Sequence, residues 1–372
     1  AQDRLRIRNN YCLNWTWHCV FLGDGRSVYA GDGPLARVRT TAGPVSNMRP
    51  RITRLFLAAL VVLVAACTDP PNNDTISVQT DWFASTDHAA LYAAELYGYF
   101  SDRGLQVEIR QGGPGIRAAN DVATGRATFG LALPENIILA AAEEVPLLSV
   151  FASYQESPIG LMVHEQSEVS SIHGIADLTV QIFPGQVFWE VLKHETGIAP
   201  DEIAFDGSMT AWAENPDWAV QSFATTNPHD ARKAGAEPRM LTATTLGFRS
   251  YAGVIFTSQG FAEENPDKMK AFVAALQQGY ADFLANPHPV IEYINVRVNK
   301  DFLLEVGEAA AAVMQNLAIS DDTENLGLGA MDGDVWNDVA ARMLSAEIIR
   351  REVDASTLWT NEFLPTPREQ TT

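Results

Sequence analysis

The sequence predicts an α/β protein of two lobes, built on mostly parallel sheets and completed by a helical C-terminal segment. Three observations lead there. From Ile76 onward short β-type runs alternate with helical ones. From Pro266 to about Leu344 the pattern turns almost entirely helical. The body after the N-terminal segment, about 300 residues, exceeds what one α/β core usually holds, so two cores are expected.

The elements follow in order. ISVQTDW reads as a strand, HAALYAAELYGYF as a helix stopped at Gly104, and LQVEIR as the next strand; GPGIRAANDVAT is turn and helix, and ATFGLA is strand again. Repeated β-α-β of this kind implies a mainly parallel sheet with helices on its faces. The rhythm continues through PENIILAAAEE, PLLSVFASY, IGLMVHE, ADLTVQIFPG, VFWEVLKHETG, DEIAFDG, WAVQSFATT, RMLTATT and YAGVIFTS, with no repeat of fixed period. The first lobe is expected at 76–154, the second at 155–245, and 246–372 is expected to return to the first lobe and supply the C-terminal helices. The crossings fall near Gln155 to Ile159 and Thr245 to Val254. In open α/β sheets ligands sit beyond the carboxyl ends of the strands, so two such lobes form a closing cleft.

The N-terminal segment reads as an address. Arg49, Arg51 and Arg54 precede twelve uncharged apolar residues, Leu55 to Ala66, the pattern of a signal peptide at 48–66. Twelve helical residues rise only about 18 Å, too short for a membrane core of about 30 Å. Val64-Ala65-Ala66-Cys67 resembles a bacterial lipobox, which makes Cys67 the expected site of lipidation and the first mature residue. The following 67–75 suit a flexible tether, and residues 1–47, which hold no Met, are expected to be an upstream extension.

Charge and sulfur narrow the chemistry. Nine of the 26 basic residues and three of the 46 acidic ones precede Cys67, so the remaining 306 residues carry 17 against 43. A phosphate backbone is held by a basic surface, which excludes a nucleic-acid binder. All three cysteines, Cys12, Cys19 and Cys67, lie at or before the lipobox, which removes internal disulfides, thiolate metal sites and thiol nucleophiles from the body. Its histidines are scattered without metal-ligand spacing, so no metal is expected.

Several segments carry a resemblance: DWFASTDHAALYAAELYGYFSDRGLQVEI (Asp81 to Ile109), ATFGLALPENIILAAAEEVPLLSVFA (Ala127 to Ala152), SFATTNPHDARKAGAEPRML (Ser222 to Leu241), YAGVIFTSQGFAEENPDKMKAFVAALQQGYADFLANP (Tyr251 to Pro287), GAMDGDVW (Gly329 to Trp336) and LWTNEFLP (Leu358 to Pro365). In this order they resemble solute-binding proteins of ABC transporters for thiamine pyrimidine precursors, and the related fungal pyrimidine synthases. The resemblance implies a periplasmic-binding-protein-like fold of type II, a small planar or anionic ligand, and no cofactor. It also implies a monomer on the periplasmic or extracellular face that delivers its ligand to an ABC permease and ATPase complex. The synthases consume one of their own histidines and carry a cysteine-rich run. The matching positions here hold Asn136 and the run Phe248 to Ala252, so the enzyme is disfavoured. A third reading is a sulfonate or oxyanion binder of the same fold.

Candidate ligand contacts follow from strand ends and helix starts. Trp82 could stack on a heterocycle, and Asp87 is expected to cap the helix that carries His88. Glu135 and Asn136, opening a helix after Pro134, suit the edge of an aminopyrimidine as a pair. In lobe two, Gln186 precedes a helix whose free amides could hold an anion. Trp189 is a candidate lid, although its spacing to Leu192 also fits a shared core face. Asn227 stands where the family commonly has an acid. Tyr154 and Tyr251, at the two crossings, could sandwich a ring. Arg249 keeps the anion option open.

Overall fold

The computed structural model describes residues 75–365. Its ten strands are β1 (Thr75–Gln79), β2 (Gln106–Arg110), β3 (Phe129–Ala132), β4 (Leu147–Tyr154), β5 (Ile159–His164), β6 (Thr179–Ile182), β7 (Asp201–Ala204), β8 (Trp218–Phe223), β9 (Pro238–Thr242) and β10 (Ala252–Ser258). They form two sheets, ordered β2-β1-β3-β10-β4 and β7-β6-β8-β5-β9. The first draws its strands from both sides of the second in the chain, so the polypeptide leaves through 155–158 and returns through 243–251.

In each sheet four of the five strands point the same way, as expected, and one runs against them, so the sheets are mixed. β1 pairs in parallel with β2 and β3, and β6 with β7 and β8. β10 is antiparallel to β3 and β4, and β5 is antiparallel to β8 and β9. In each sheet the reversed strand is the one by which the chain arrives from the other sheet. Such a strand begins at the crossing, where its neighbours end, and must therefore run against them. The same logic puts the carboxyl ends of the other four strands of each sheet on the crossing side.

The helices that matter below are α1 (Ala89–Leu96), α2 (Ala118–Ala123), α3 (Pro134–Ala142), α4 (Val187–Thr196), α5 (Asn227–Lys233), α6 (Pro266–Ala285), α7 (Leu304–Leu317) and α8 (Gly333–Ser345). The helical run that starts at His88 does not continue to Gly104. It breaks at Gly98, whose φ of +76° belongs to the left-handed region that glycine tolerates, and resumes as a short helix at Tyr99–Asp102. α6 lies close on α1: a Cβ on Gly279 would stand 2.5 Å from the Ala94 amide nitrogen.

One apolar cluster spans both sheets. Ala152, Val254 and Phe256 of the first join Leu161, Val180 and Ala219 of the second through Trp336, Val339 and Met343 of α8. On the same side Arg342 of α8 forms a two-pronged ion pair with Glu195 of α4, at 2.6 and 2.7 Å, and donates to the Gly247 carbonyl at 2.9 Å. At the crossings the Ser157 amide donates to Ser250 O at 2.8 Å and the Ala243 amide to Ile159 O at 2.8 Å, which ties the two connecting strands together. Among the described residues no helix is long and apolar enough to cross a membrane. Cys67 and the expected signal, upstream and tether segments lie outside the described residues, apart from Thr75, the last tether residue, which opens β1.

Candidate functional site

The turn after β1 is built by polar side chains. Thr80 Oγ1 donates to Trp82 O at 2.8 Å and accepts from the Gly112 amide at 3.0 Å, which joins this turn to the one after β2. Any Cβ on Gly112 would fall 2.3 Å from Thr80 O, so only glycine permits the approach. Phe83 rests on Gly113 and meets Trp82 edge-on, with ring centroids 5.7 Å apart. Trp82 remains 50% exposed, an aromatic face open to a partner at the strand end.

Ser85 caps the next turn, in place of Asp87. Its Oγ accepts from the Asp87 amide at 3.3 Å, and its own amide donates to His88 Nδ1 at 3.3 Å. With Nδ1 accepting, a neutral His88 carries its proton on Nε2 and donates it to Asp81 Oδ1, 3.1 Å away. His88 is buried and fixed by both nitrogens. Asp87, freed from capping, accepts from Ser85 Oγ at 3.1 Å and from the Tyr154 hydroxyl at the end of β4. Burial pushes Tyr154 well above the usual phenol range, the charges of Asp87 and Tyr280 add to the rise, and Thr225 opposes it. Thr225 follows β8 of the second sheet, so the Asp87–Tyr154 pair is where the two lobes meet.

Glu135 is a buried acid at these strand ends. Pro134 opens α3 at no cost in hydrogen bonds, and the carboxyl beside it points inward. Burial raises it from an ordinary 4.5 to about 7, a rise that its own backbone and the neighbouring Ser250 partly oppose. Glu135 Oε2, Ser250 Oγ and Thr225 Oγ1 are buried without a hydrogen bond. Ser250 is thus close enough to act on Glu135 but not aligned to bond it. Orphaned buried polar atoms are uncommon in folded proteins, and a group of them at facing strand ends points to something that binds there.

The other candidates are placed as follows. Asn136 does not share Glu135's direction: it is exposed and lines, with Asp81, a cavity of about 720 Å³ beside the strand ends. Adjacent helical positions are about 100° apart, so the two residues cannot jointly present one edge to a ring. Trp189 is fully buried and its indole donates to Glu202 Oε1 at 2.8 Å. Its spacing to Leu192 marks a core face, and no ring surface is left for a lid. Tyr251 is likewise buried and accepts from the Asp332 amide at 2.7 Å, at the start of α8. Tyr154 is buried too, so of the aromatics proposed to sandwich a ring only Trp82 shows a free face. Asn227 Oδ1 accepts from the Phe223 amide at 2.7 Å, holding the turn after β8. Gln186 is partly exposed at the start of α4, three residues after Phe183, which follows β6 of the second sheet.

Asp81, Ser250, Thr225 and Phe183 escaped the sequence reading. Phe183 is 38% exposed and leans on Phe205, with centroids 5.0 Å apart. Its position at the end of β6 is the signal that would have found it, because an exposed aromatic at a strand's carboxyl end matches Trp82 in the first sheet. Among the described residues no group of three or more His, Cys, Asp or Glu is arranged to hold a metal.

A family model described as NMT1/THI5 like matches residues 85–289. The chain belongs to this family. Its relatives include the riboflavin-binding protein RibY of Chloroflexus aurantiacus, 23% identical, with 86% of this chain and 99% of that one aligned. A formylaminopyrimidine-binding protein of Halalkalibacterium halodurans is also 23% identical, over 76% of this chain and 90% of that one. Proteins named as pyrimidine phosphate synthases match as well. Among solved structures, the periplasmic aliphatic sulphonate binding protein SsuA of Escherichia coli superposes with a TM-score of 0.59 at 14% identity, over 78% of this chain and 93% of that one. The fold is that of periplasmic binding proteins.

Proposed function

We propose that the protein is the extracytoplasmic solute-binding component of an ABC importer, taking a small planar heterocycle between its two lobes and releasing it unaltered to a permease. Cys67 would be its lipid anchor. The carrying observation is the set of buried, unbonded polar atoms at the carboxyl ends of both sheets: Glu135 Oε2 and Ser250 Oγ on one side, Thr225 Oγ1 on the other. A ligand that pairs with both sides at once stabilises the closed arrangement, which is how binding energy becomes a signal to a transporter. Relatives named for riboflavin and for a formylaminopyrimidine support a ring ligand. Both compounds present a pyrimidine-type edge of alternating donors and acceptors, and a carboxyl that titrates near 7 can meet such an edge as acid or as base.

Two other readings compete. The fold of a sulphonate binder supports an oxyanion ligand, which wants amides, hydroxyls or arginines instead of an open aromatic face such as Trp82. A synthase-like enzyme would need the histidine whose place Asn136 takes. Isothermal titration of the full chain with riboflavin, aminopyrimidines and alkanesulfonates separates the three. Saturable heat with a ring compound that is recovered unchanged supports the proposal. Heat with sulfonates alone, or conversion of a pyridoxal phosphate substrate, overturns it.

A further inference from the structure

The acids at the strand ends of the first sheet differ in how their neighbours settle their charge. Asp81 accepts from His88 Nε2 at 3.1 Å, and Asp87 accepts from Ser85 Oγ at 3.1 Å and from the Tyr154 hydroxyl. Glu135 has no such arrangement. It is 5% exposed, its Oε2 is buried without a hydrogen bond, and Ser250 Oγ on the return crossing, close enough to act on it, is unbonded as well. No charge compensates it either. Its helix α3 packs on β4, α2 and α8. On these elements Tyr154 is turned to Asp87, Asp121 pairs with Arg126 at 2.7 Å, and Asp338 pairs with Arg342 at 3.4 Å. None of these groups acts on Glu135, nor do Asp334 of α8, Arg117 before α2, or Arg249 and Tyr251 at the crossing; only burial, its own backbone and Ser250 do. A carboxyl so placed keeps its proton longer than an exposed one, because ionisation would leave a charge in apolar surroundings with nothing to offset it.

The two protonation states offer a ligand different edges. The neutral acid carries a donor and an acceptor on one group, so it can pair with an adjacent acceptor and donor of a pyrimidine-type ring. The carboxylate has acceptors only, and it meets one of those ring groups while repelling the other. Closing the lobes on a ligand removes water from the carboxyl, which makes the charged form costlier still in the complex. The hydroxyls of Ser250 and Thr225 can each donate or accept, so they suit either state.

We propose that the inter-lobe site takes its ring ligand with Glu135 protonated, so that binding above neutral pH draws one proton from solvent onto this carboxyl and release returns it. The proposal rests on the binding reading above and deepens it: capture of the solute is linked to pH through one side chain. Below about pH 7 the free protein already holds the proton, and affinity does not depend on pH; above it, affinity falls about tenfold per pH unit.

Titration calorimetry on the full chain tests this with riboflavin and cytosine, rings that stay neutral between about pH 6 and about pH 8. Wild type is expected to bind about tenfold more weakly at about pH 8 than at about pH 6. At the higher pH its heat is expected to differ between phosphate and Tris buffers by the ionisation of close to one proton. Glu135→Gln keeps a donor and an acceptor but cannot ionise, so it is expected to bind equally at both values and to take up no proton. Ser250→Ala removes a group that holds the carboxyl down, so the fall in affinity is expected to begin at higher pH, a shift that a merely structural role of Glu135 would not give. Equal wild-type affinity at both values, or a pH dependence that survives in Glu135→Gln, overturns the proposal and leaves the ring reading in place. Should Glu135→Gln fail to fold, Ser250→Ala decides, and a fall that does not move overturns the proposal. If neither ring binds at about pH 6, where the carboxyl is protonated, the ring reading fails and the proton linkage fails with it.

Discussion

Glu135 illustrates how a single residue links burial, pH and binding. Its carboxyl is raised to about 7 from 4.5 because burial penalises the charged form. A group whose folded pKa exceeds its unfolded one binds protons more tightly when folded. It therefore costs nothing below about pH 4.5, and progressively destabilises the fold as pH rises through 7. The shift corresponds to about 3 kcal/mol once the carboxylate is fully charged. Glu135→Gln removes that cost, so urea unfolding should find the variant more stable than wild type by up to about 3 kcal/mol at about pH 8 and nearly equal at about pH 4. A difference that does not change with pH would mean that the carboxyl is solvated or paired in the native state. Sequence singled out Glu135 because a Pro-Glu pair follows a strand. It could not tell Glu135 from Asn136, since which way each side chain turns depends on where Ser250 returns from the other lobe. Trp189 was ambiguous for the same reason: its helical spacing to Leu192 pointed to the core, and Glu202 on β7 supplies the partner that fixes the indole there.

At the scale of elements, helix propensity and packing oppose each other at Gly279. Within α6 alanine is favoured over glycine by about 1 kcal/mol, so on a lone helix Gly279→Ala would stabilise. Here the added methyl would meet the backbone of α1 at 2.5 Å, and backbone atoms cannot turn aside as a flexible side chain can. Overpacking typically costs about 1–3 kcal/mol, so the packing term wins. Thermal unfolding is expected to show a lower midpoint for Gly279→Ala; a higher one would show that α1 and α6 are free to separate. Most elements were legible from periodicity, because apolar runs of strand length alternate with helical ones throughout 76–258. Strand direction was not. The β-α-β rhythm implies parallel neighbours, and only the crossing of the chain between sheets makes β5 and β10 run in reverse. Two side-chain hydrogen bonds within Ser85–His88 likewise moved the cap from Asp87, because the preceding Thr80–Trp82 contacts set where the turn begins.

The whole molecule joins two sheets whose strand ends share one side, with α8 and its Arg342–Glu195 pair on the shared core. Chain length and the order of the elements lead to the expectation of two lobes, and the chain passes between its two sheets at 155–158 and 243–251. The contacts between lobes were not readable, since Thr225 next to Tyr154, or His229 of α5 lying 3.7 Å from Glu305 of α7, joins residues far apart in sequence. Such contacts are what a ligand bound between the lobes would reinforce. Amide hydrogen exchange with and without saturating ring ligand measures this directly, since it reads the opening of each segment separately. Slower exchange is expected on both sides at once, in 81–88 and 134–137 of the first lobe and in 183–188 and 224–229 of the second. Protection confined to one lobe, or none at these strand ends, would contradict it.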